Sequence, residues 1–323
     1  MKATLLAAAL AAPLLGLTLA GPAAATRTTG SYTSLTVFGD SLVDAGNIFA
    51  LTGGRTPSPS AGYFQGRFTN GYDYTDLLSV DLFGRPTLAS LLGGRNFAFG
   101  GARIVDNGDA VPDLSRQIDL YEAALGQTAD RNGLYVLNAG GNDVFGAIAG
   151  TIGGADPQSY LRDAAGQYAA SVQRLNDLGV RNILITDFPV ATAGAINSQA
   201  NGFLDAALGN LSLASDTTLF RFSFTDFFNQ LSVDPGRFGL PALDLTTTCQ
   251  AAGAAAIASG CAGYFSFDGT HPTAAVQRAA YQEMNRQFAL AVPEPASWML
   301  MLTGFALVGM AARRRGRLVP RPA

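Results

Sequence analysis

The chain has 323 residues, with 21 Lys plus Arg, 24 Asp plus Glu, one His and two Cys, and a formal net charge of −3. That balance lacks the basic footprint of a nucleic-acid binder, and one His with two Cys cannot complete a Cys/His zinc site. The net value covers three unlike parts: residues 1–25 hold one Lys and no acid, residues 26–292 hold 15 Arg and 23 acids, and residues 293–323 hold five Arg and one Glu.

The N-terminus starts Met1-Lys2 and continues as an apolar run from Ala3 to Ala20. It ends in Pro22-Ala23-Ala24-Ala25-Thr26. A short positive start, an apolar stretch and small residues at a cleavage point make a secretory signal over residues 1–25, cut after Ala25; the alternative is an N-terminal anchor. Five apolar runs follow as expected strands: 36–38, 96–99, 134–138, 182–186 and 218–222. They are continuous rather than alternating, as in strands covered on both faces. Helical spacing between them predicts helices over 72–82, 113–125, 157–178, 203–213 and 273–290. The Ala/Gly-rich stretches at 145–155 and 251–260 read as loops. Strand and helix in repeated alternation imply an α/β fold, an open, about five-stranded parallel sheet between helix layers.

In such sheets ligands bind beyond the carboxyl ends of the strands. Three runs end there in small or polar residues: Gly39-Asp40-Ser41-Leu42, Gly100-Gly101 and Gly140-Gly141-Asn142-Asp143. Asp268-Gly269-Thr270-His271 follows near the end. A serine hydrolase needs a hydroxyl nucleophile, an imidazole to take its proton, a carboxylate to orient that imidazole and donors for the oxyanion. Each segment alone reads as an ordinary turn or cap. Together they supply every part, and the chain's single histidine falls in the segment that needs one. Cys249 and Cys261 enclose a loop rich in Ala and Gly. In an exported chain they form a disulfide or remain two buried thiols; a bridge there would steady the nearby Asp268–His271 loop.

The end of the chain reads Val292-Pro293-Glu294-Pro295, then an apolar stretch over 296–312, then Arg313-Arg314-Arg315. Seventeen residues at ~1.5 Å each span ~25 Å, the short end of a transmembrane helix. The order of Pro-Glu-Pro, apolar helix and basic end resembles the PEP-CTERM sorting signal of Gram-negative bacteria; the alternative is a plain C-terminal anchor. The resemblance implies export through the inner membrane, held there through the helix until an exosortase-type enzyme processes it, and delivery to the cell surface or extracellular matrix. The division is then 1–25 signal peptide, 26–292 catalytic domain and 293–323 sorting signal.

The middle resembles the GDSL or SGNH hydrolases. Residues 38–47, Phe-Gly-Asp-Ser-Leu-Val-Asp-Ala-Gly-Asn, look like the first block of that family. Asn96-Phe97-Ala98-Phe99-Gly100-Gly101-Ala102 looks like the second, Gly140-Gly141-Asn142-Asp143 like the third, and Asp268-Gly269-Thr270-His271 like the last. Gly66-Arg67-Phe68-Thr69-Asn70-Gly71 is similar to a further family segment. The long first block resembles the lipase, esterase and lecithinase branch. The resemblance implies a flavodoxin-like three-layer sandwich. It implies Ser41 as nucleophile, Asp268 and His271 as orienting acid and base, and an oxyanion hole from Ser41, Gly101 (or Gly100) and Asn142. No metal or cofactor is implied. The expected activity is hydrolysis of lipid or short-chain acyl esters. A deacetylase of extracellular polysaccharide on the same fold, and a non-catalytic surface or matrix binding protein, are the alternatives.

Overall fold

A computed structural model describes residues 32–125, 129–190 and 193–291, together with 303, 305 and 306. The expected signal peptide, and the sorting tail apart from those three residues, lie outside the described residues. Among the described residues no helix is long and apolar enough to cross a membrane.

Four strands form one parallel sheet in the order β1 (Leu35–Gly39), β2 (Leu134–Asn138), β3 (Asn182–Thr186) and β4 (Thr218–Phe222). The helices are α1 (Asn47–Leu51), α2 (Tyr74–Phe83), α3 (Leu114–Leu125), α4 (Gly141–Ala149), α5 (Pro157–Asp177), α6 (Ala195–Leu208), α7 (Phe224–Val233), α8 (Ala254–Ala258) and α9 (Ala274–Phe288). Side chains alternate across a strand, and both faces of this sheet are apolar. Phe38, Tyr135, Leu137, Ile183 and Ile185 pack with Ile118 of α3, Val144 of α4, Val172 of α5 and Leu204 of α6. Val37, Leu134, Val136, Leu184, Phe220 and Phe222 pack on the other side with Leu78 of α2, Phe227 of α7 and Met284 of α9. Two helix layers around a parallel sheet make the expected three-layer α/β sandwich.

Among the described residues the sheet has four strands where about five were expected. The 96–99 run lies parallel to β1: Phe97 N–H donates to Val37 O at 2.7 Å and Phe99 N–H to Gly39 O at 3.1 Å. It makes a single bridge to β1, Val37 with Asn96, and stays outside the regular ladder because the Gly39 N–H that would form the next rung goes to Gln117 Oε1 at 2.8 Å. On its outer edge Asn96 pairs with Ala89, and Asn47 Nδ2 donates to Asn96 O and Ala98 O, each at 2.8 Å.

Three helical expectations also change. Residues 141–149 form α4 rather than part of a loop. Alanine favours a helix, and Gly150, at φ 69°, ends it in the left-handed conformation that glycine adopts freely. The 203–213 helix is instead α6, eight residues earlier at its start. Ser212 is drawn out of helical pairing by Gln173, which accepts from its N–H at 2.9 Å and donates to its carbonyl at 3.0 Å. The 251–260 stretch contains the short α8.

Candidate active site

Three adjacent parallel segments deliver the polar residues. β1 runs into Asp40-Ser41, β2 into Asn142 at the start of α4, and the 96–99 run into Gly100-Gly101. The turn after β1 requires glycine at position 39. Its φ is 151°, and a Cβ there would stand 2.1 Å from Asn138 O. Gln117 pins that glycine from α3, accepting from its N–H and donating to its carbonyl, both at 2.8 Å.

Asp44 organises the rest of the first block. Its carboxylate accepts the amides of Gly46 (2.8 Å), Asn47 (2.6 Å) and Ile48 (3.2 Å), and that of Gly100 at 2.9 Å. The Gly100 amide is therefore committed. Gly101 is exposed at φ 90°, and a Cβ on it would meet nothing within 4 Å. Asn142 Nδ2 donates to Ala102 O at 2.8 Å, which fixes the amide plane and leaves its second N–H. The neighbouring Asp143 is buried and accepts from Ile104 N–H, Val105 N–H and the Tyr160 hydroxyl. It ties the chain after Gly101 to the start of α4.

His271 arrives from the loop before α9. Its Nε2 lies 2.7 Å from Ser41 Oγ and its Nδ1 2.6 Å from Asp268 Oδ2. A carboxylate can only accept, so Nδ1 carries the proton and Nε2 is left to accept from the serine hydroxyl. The side chains of His271 and Asp268 are 11% and 9% exposed. Asp268 Oδ1 takes the amides of Thr270 (2.9 Å) and His271 (2.8 Å). Burial would raise the Asp268 carboxyl, but bonds from His271 and Tyr63 outweigh it and hold the group at about 2. It is ionised at any ordinary working pH. Asp40 behaves in the opposite way. Burial pushes its carboxyl up to about 7, against the Leu42 amide and His271, which pull it down.

The structure thus brings Ser41, His271 and Asp268 into one hydrogen-bonded chain, with Gly101 and Asn142 on the segments flanking Ser41. Cys249 and Cys261 are joined by a disulfide. Two polar clefts around Arg221, Ser223 and Asp226 are lined by none of these residues. Among the described residues no group of three or more His, Cys, Asp or Glu is arranged to hold a metal ion.

Four residues without an assigned role in the sequence reading hold the histidine loop. Phe68 sits with its ring 5.3 Å from that of His271, over Gly100, where a Cβ would come within 2.4 Å of it. Thr69 Oγ1 donates to Pro272 O at 2.8 Å. Asn70 accepts the Ala274 amide at 2.8 Å and donates to Gly260 O at 3.1 Å. Tyr63 donates to Asp268 Oδ2. The segment resembling Gly-Arg-Phe-Ser-Asn-Gly was a usable signal for the first three; nothing local marked Tyr63.

Residues 35–284 match the model of the family described as GDSL-like Lipase/Acylhydrolase. Residues 291–315 match the PEP-CTERM protein-sorting motif. The chain is similar to Lipase 1 of Photorhabdus luminescens, 31% identical over 166 residues, covering 49% of this chain and 22% of that protein. It is similar to the thermolabile hemolysin of Vibrio parahaemolyticus serotype O3:K6, 27% identical over 277 residues, covering 76% of this chain and 61% of that protein. An Arabidopsis thaliana GDSL esterase/lipase is 33% identical over 180 residues, 49% of this chain and 50% of its own length. In each case the match spans less than two thirds of the relative. A solved phospholipase A1 from Streptomyces albidoflavus NA297 shares 14% identity at a TM-score of 0.38, covering 79% of this chain and 99% of its own, too distant to bear on the fold.

Proposed function

We propose, on the premise that this chain belongs to the GDSL-like lipase/acylhydrolase family, that it is an exported serine carboxylester hydrolase working through an acyl-enzyme. The observation that carries the reading is the hydrogen-bonded chain Ser41 Oγ, His271 Nε2, His271 Nδ1, Asp268 Oδ2, at 2.7 and 2.6 Å. Nε2 takes the Ser41 proton as Oγ attacks the ester carbonyl carbon. The carbonyl oxygen becomes an oxyanion, held by the N–H groups of Ser41, Gly101 and the Asn142 side chain. Each such donor lowers the barrier by about 3 kcal/mol. Collapse of the tetrahedral adduct breaks the bond to the alcohol, which leaves with the proton from Nε2. A water, deprotonated by the same nitrogen, then attacks the acyl-serine and regenerates Ser41. Asp268 stays ionised and stabilises the imidazolium in both halves.

The substrate in this reading is a lipid or short-chain acyl ester. The sorting motif over 291–315 favours a second reading on the same machinery, removal of acetyl groups from a surface polysaccharide. Export through a signal over residues 1–25, processing by an exosortase-type enzyme and transient anchorage by the apolar stretch over 296–312 belong to the same proposal. Covalent labelling tests the nucleophile. A fluorophosphonate probe should modify one residue, Ser41, by peptide mass spectrometry, and Ser41→Ala should stay unlabelled. Labelling at a different serine would remove Ser41 from its role.

A further inference from the structure

Tyr63 lies outside every sequence block that suggested the site, yet its hydroxyl donates to Asp268 Oδ2 at 2.7 Å. That is the oxygen His271 Nδ1 holds at 2.6 Å. Oδ1 of the same carboxylate accepts two backbone amides from its own loop. Without the phenol, Oδ2 would be held by the imidazole alone, and the imidazole is the group that must gain charge and move a proton during the reaction.

The phenol itself is built in. Its ring meets Phe267 edge-on, with centroids 5.0 Å apart, and Phe68 at 6.3 Å. Phe267 is fully buried and clusters with the Cys249–Cys261 bridge, and Tyr63 packs against that cluster. Gln250, next to Cys249, donates from Nε2 to Ala61 O at 2.9 Å, holding the turn that carries Tyr63. Burial and the Asp268 carboxylate push the phenol's ionisation above its ordinary range, so it remains a donor.

We infer that Tyr63 is a positioning residue, holding the Asp268 carboxylate in line with His271 Nδ1; this rests on the hydrolase reading above. The aligned carboxylate matters most when the imidazolium forms, so the loss of the hydroxyl reads in kcat and not in KM. Tyr63→Phe keeps both ring contacts and removes only the donor. With p-nitrophenyl acetate, kcat should fall about tenfold, as for a hydrogen bond to a charged group, with KM within about twofold. In an Asp268→Asn background the same substitution should change kcat by less than about twofold, because the two residues act as a unit.

A second signature is available because the chain has a single histidine. The far-downfield proton resonance of His271 Nδ1–H is therefore unambiguous, and it should move in Tyr63→Phe. A wild-type kcat in Tyr63→Phe, an undiminished tenfold loss in the Asp268→Asn background, or an unmoved resonance would each overturn the inference. If wild type and Ser41→Ala hydrolyse the ester equally, the hydrolase reading falls and takes the role of Tyr63 with it. If Ser41→Ala is silent while Tyr63→Phe runs at the wild-type rate, the role of Tyr63 falls alone.

Discussion

Asp40 and Asp268 lie close to the same imidazole and titrate in opposite directions. Asp268 collects two amides, a phenol and an imidazole N–H on its two oxygens, and burial is outweighed. Asp40 is 2% exposed and has one good donor, the Leu42 amide at 3.0 Å, with Asn138 Nδ2 distant at 3.5 Å. Its carboxyl therefore keeps a proton in the fold until about pH 7, against an ordinary value of 3.8. The folded state binds the extra proton between those values, so this group makes stability fall as pH rises from about 4 to about 7, and contributes no further slope above. Asn at position 40 keeps an oxygen for Leu42 and cannot ionise. The Tm of Asp40→Asn relative to wild type should rise steadily from pH 4 to pH 7, as measured by thermal melts; parallel Tm curves would contradict the assignment. The sign for Asp268 is reversed. Its stabilising bonds are fully present above pH 3.8 and are lost as pH falls through about 2. Ser41, Asn142, Asp268 and His271 were legible because the chemistry restricts their types. Tyr63 was not: its partner lies 205 residues away, and a tyrosine in an aromatic stretch has no local mark of such a bond.

At the scale of elements, the loop bearing Asp268 and His271 is held by the 63–70 segment and by the Cys249–Cys261 bridge. Gly71 lies against Ala274, where a Cβ would come within 2.7 Å of that side chain, so the clasp closes directly on the start of α9. The bridge connects to the loop through main-chain bonds: Cys249 N–H donates to Ser266 O and Gln250 N–H to Phe267 O, both at 3.0 Å. Closing a loop with a sequence separation of 12 stabilises by about 3 kcal/mol in the chain-entropy model. Replacing both cysteines by serine should lower Tm by several degrees and reduce kcat several-fold. Unchanged melting and turnover would mean that the bridge does not steady the Asp268–His271 loop. The expected strands 134–138, 182–186 and 218–222 coincide with β2, β3 and β4, because long apolar runs between helices have few other solutions. The 96–99 run has the same apolar character, but its pairing with β1 stops at one bridge because Gln117, 78 residues after Gly39, takes the Gly39 N–H. Likewise α6 stops at Leu208, short of the expected 213, and Gln173 holds Ser212 outside it. A period within one segment cannot register a side chain arriving from another.

For the molecule as a whole, one parallel sheet sets the site by bringing the turns after β1, β2 and the 96–99 run together at one end. This much followed from the α/β pattern, since strand ends in an open sheet are where ligands gather. The approach of the last loop, through Thr69 and Asn70, is a tertiary property with no counterpart in local pattern. Acidic middle and basic ends agree with an exported enzyme carrying sorting information, and residues 291–315 match the sorting motif. A p-nitrophenyl ester series from acetyl to palmitoyl separates the substrate readings: acetyl preference favours polysaccharide deacetylation, and faster turnover of longer chains favours lipid esters. The same assay bears most directly on the central claim, that Ser41 Oγ attacks the carbonyl. Steady-state turnover of wild type should exceed that of Ser41→Ala by at least about a thousandfold across the series. Equal rates for the two proteins would contradict it.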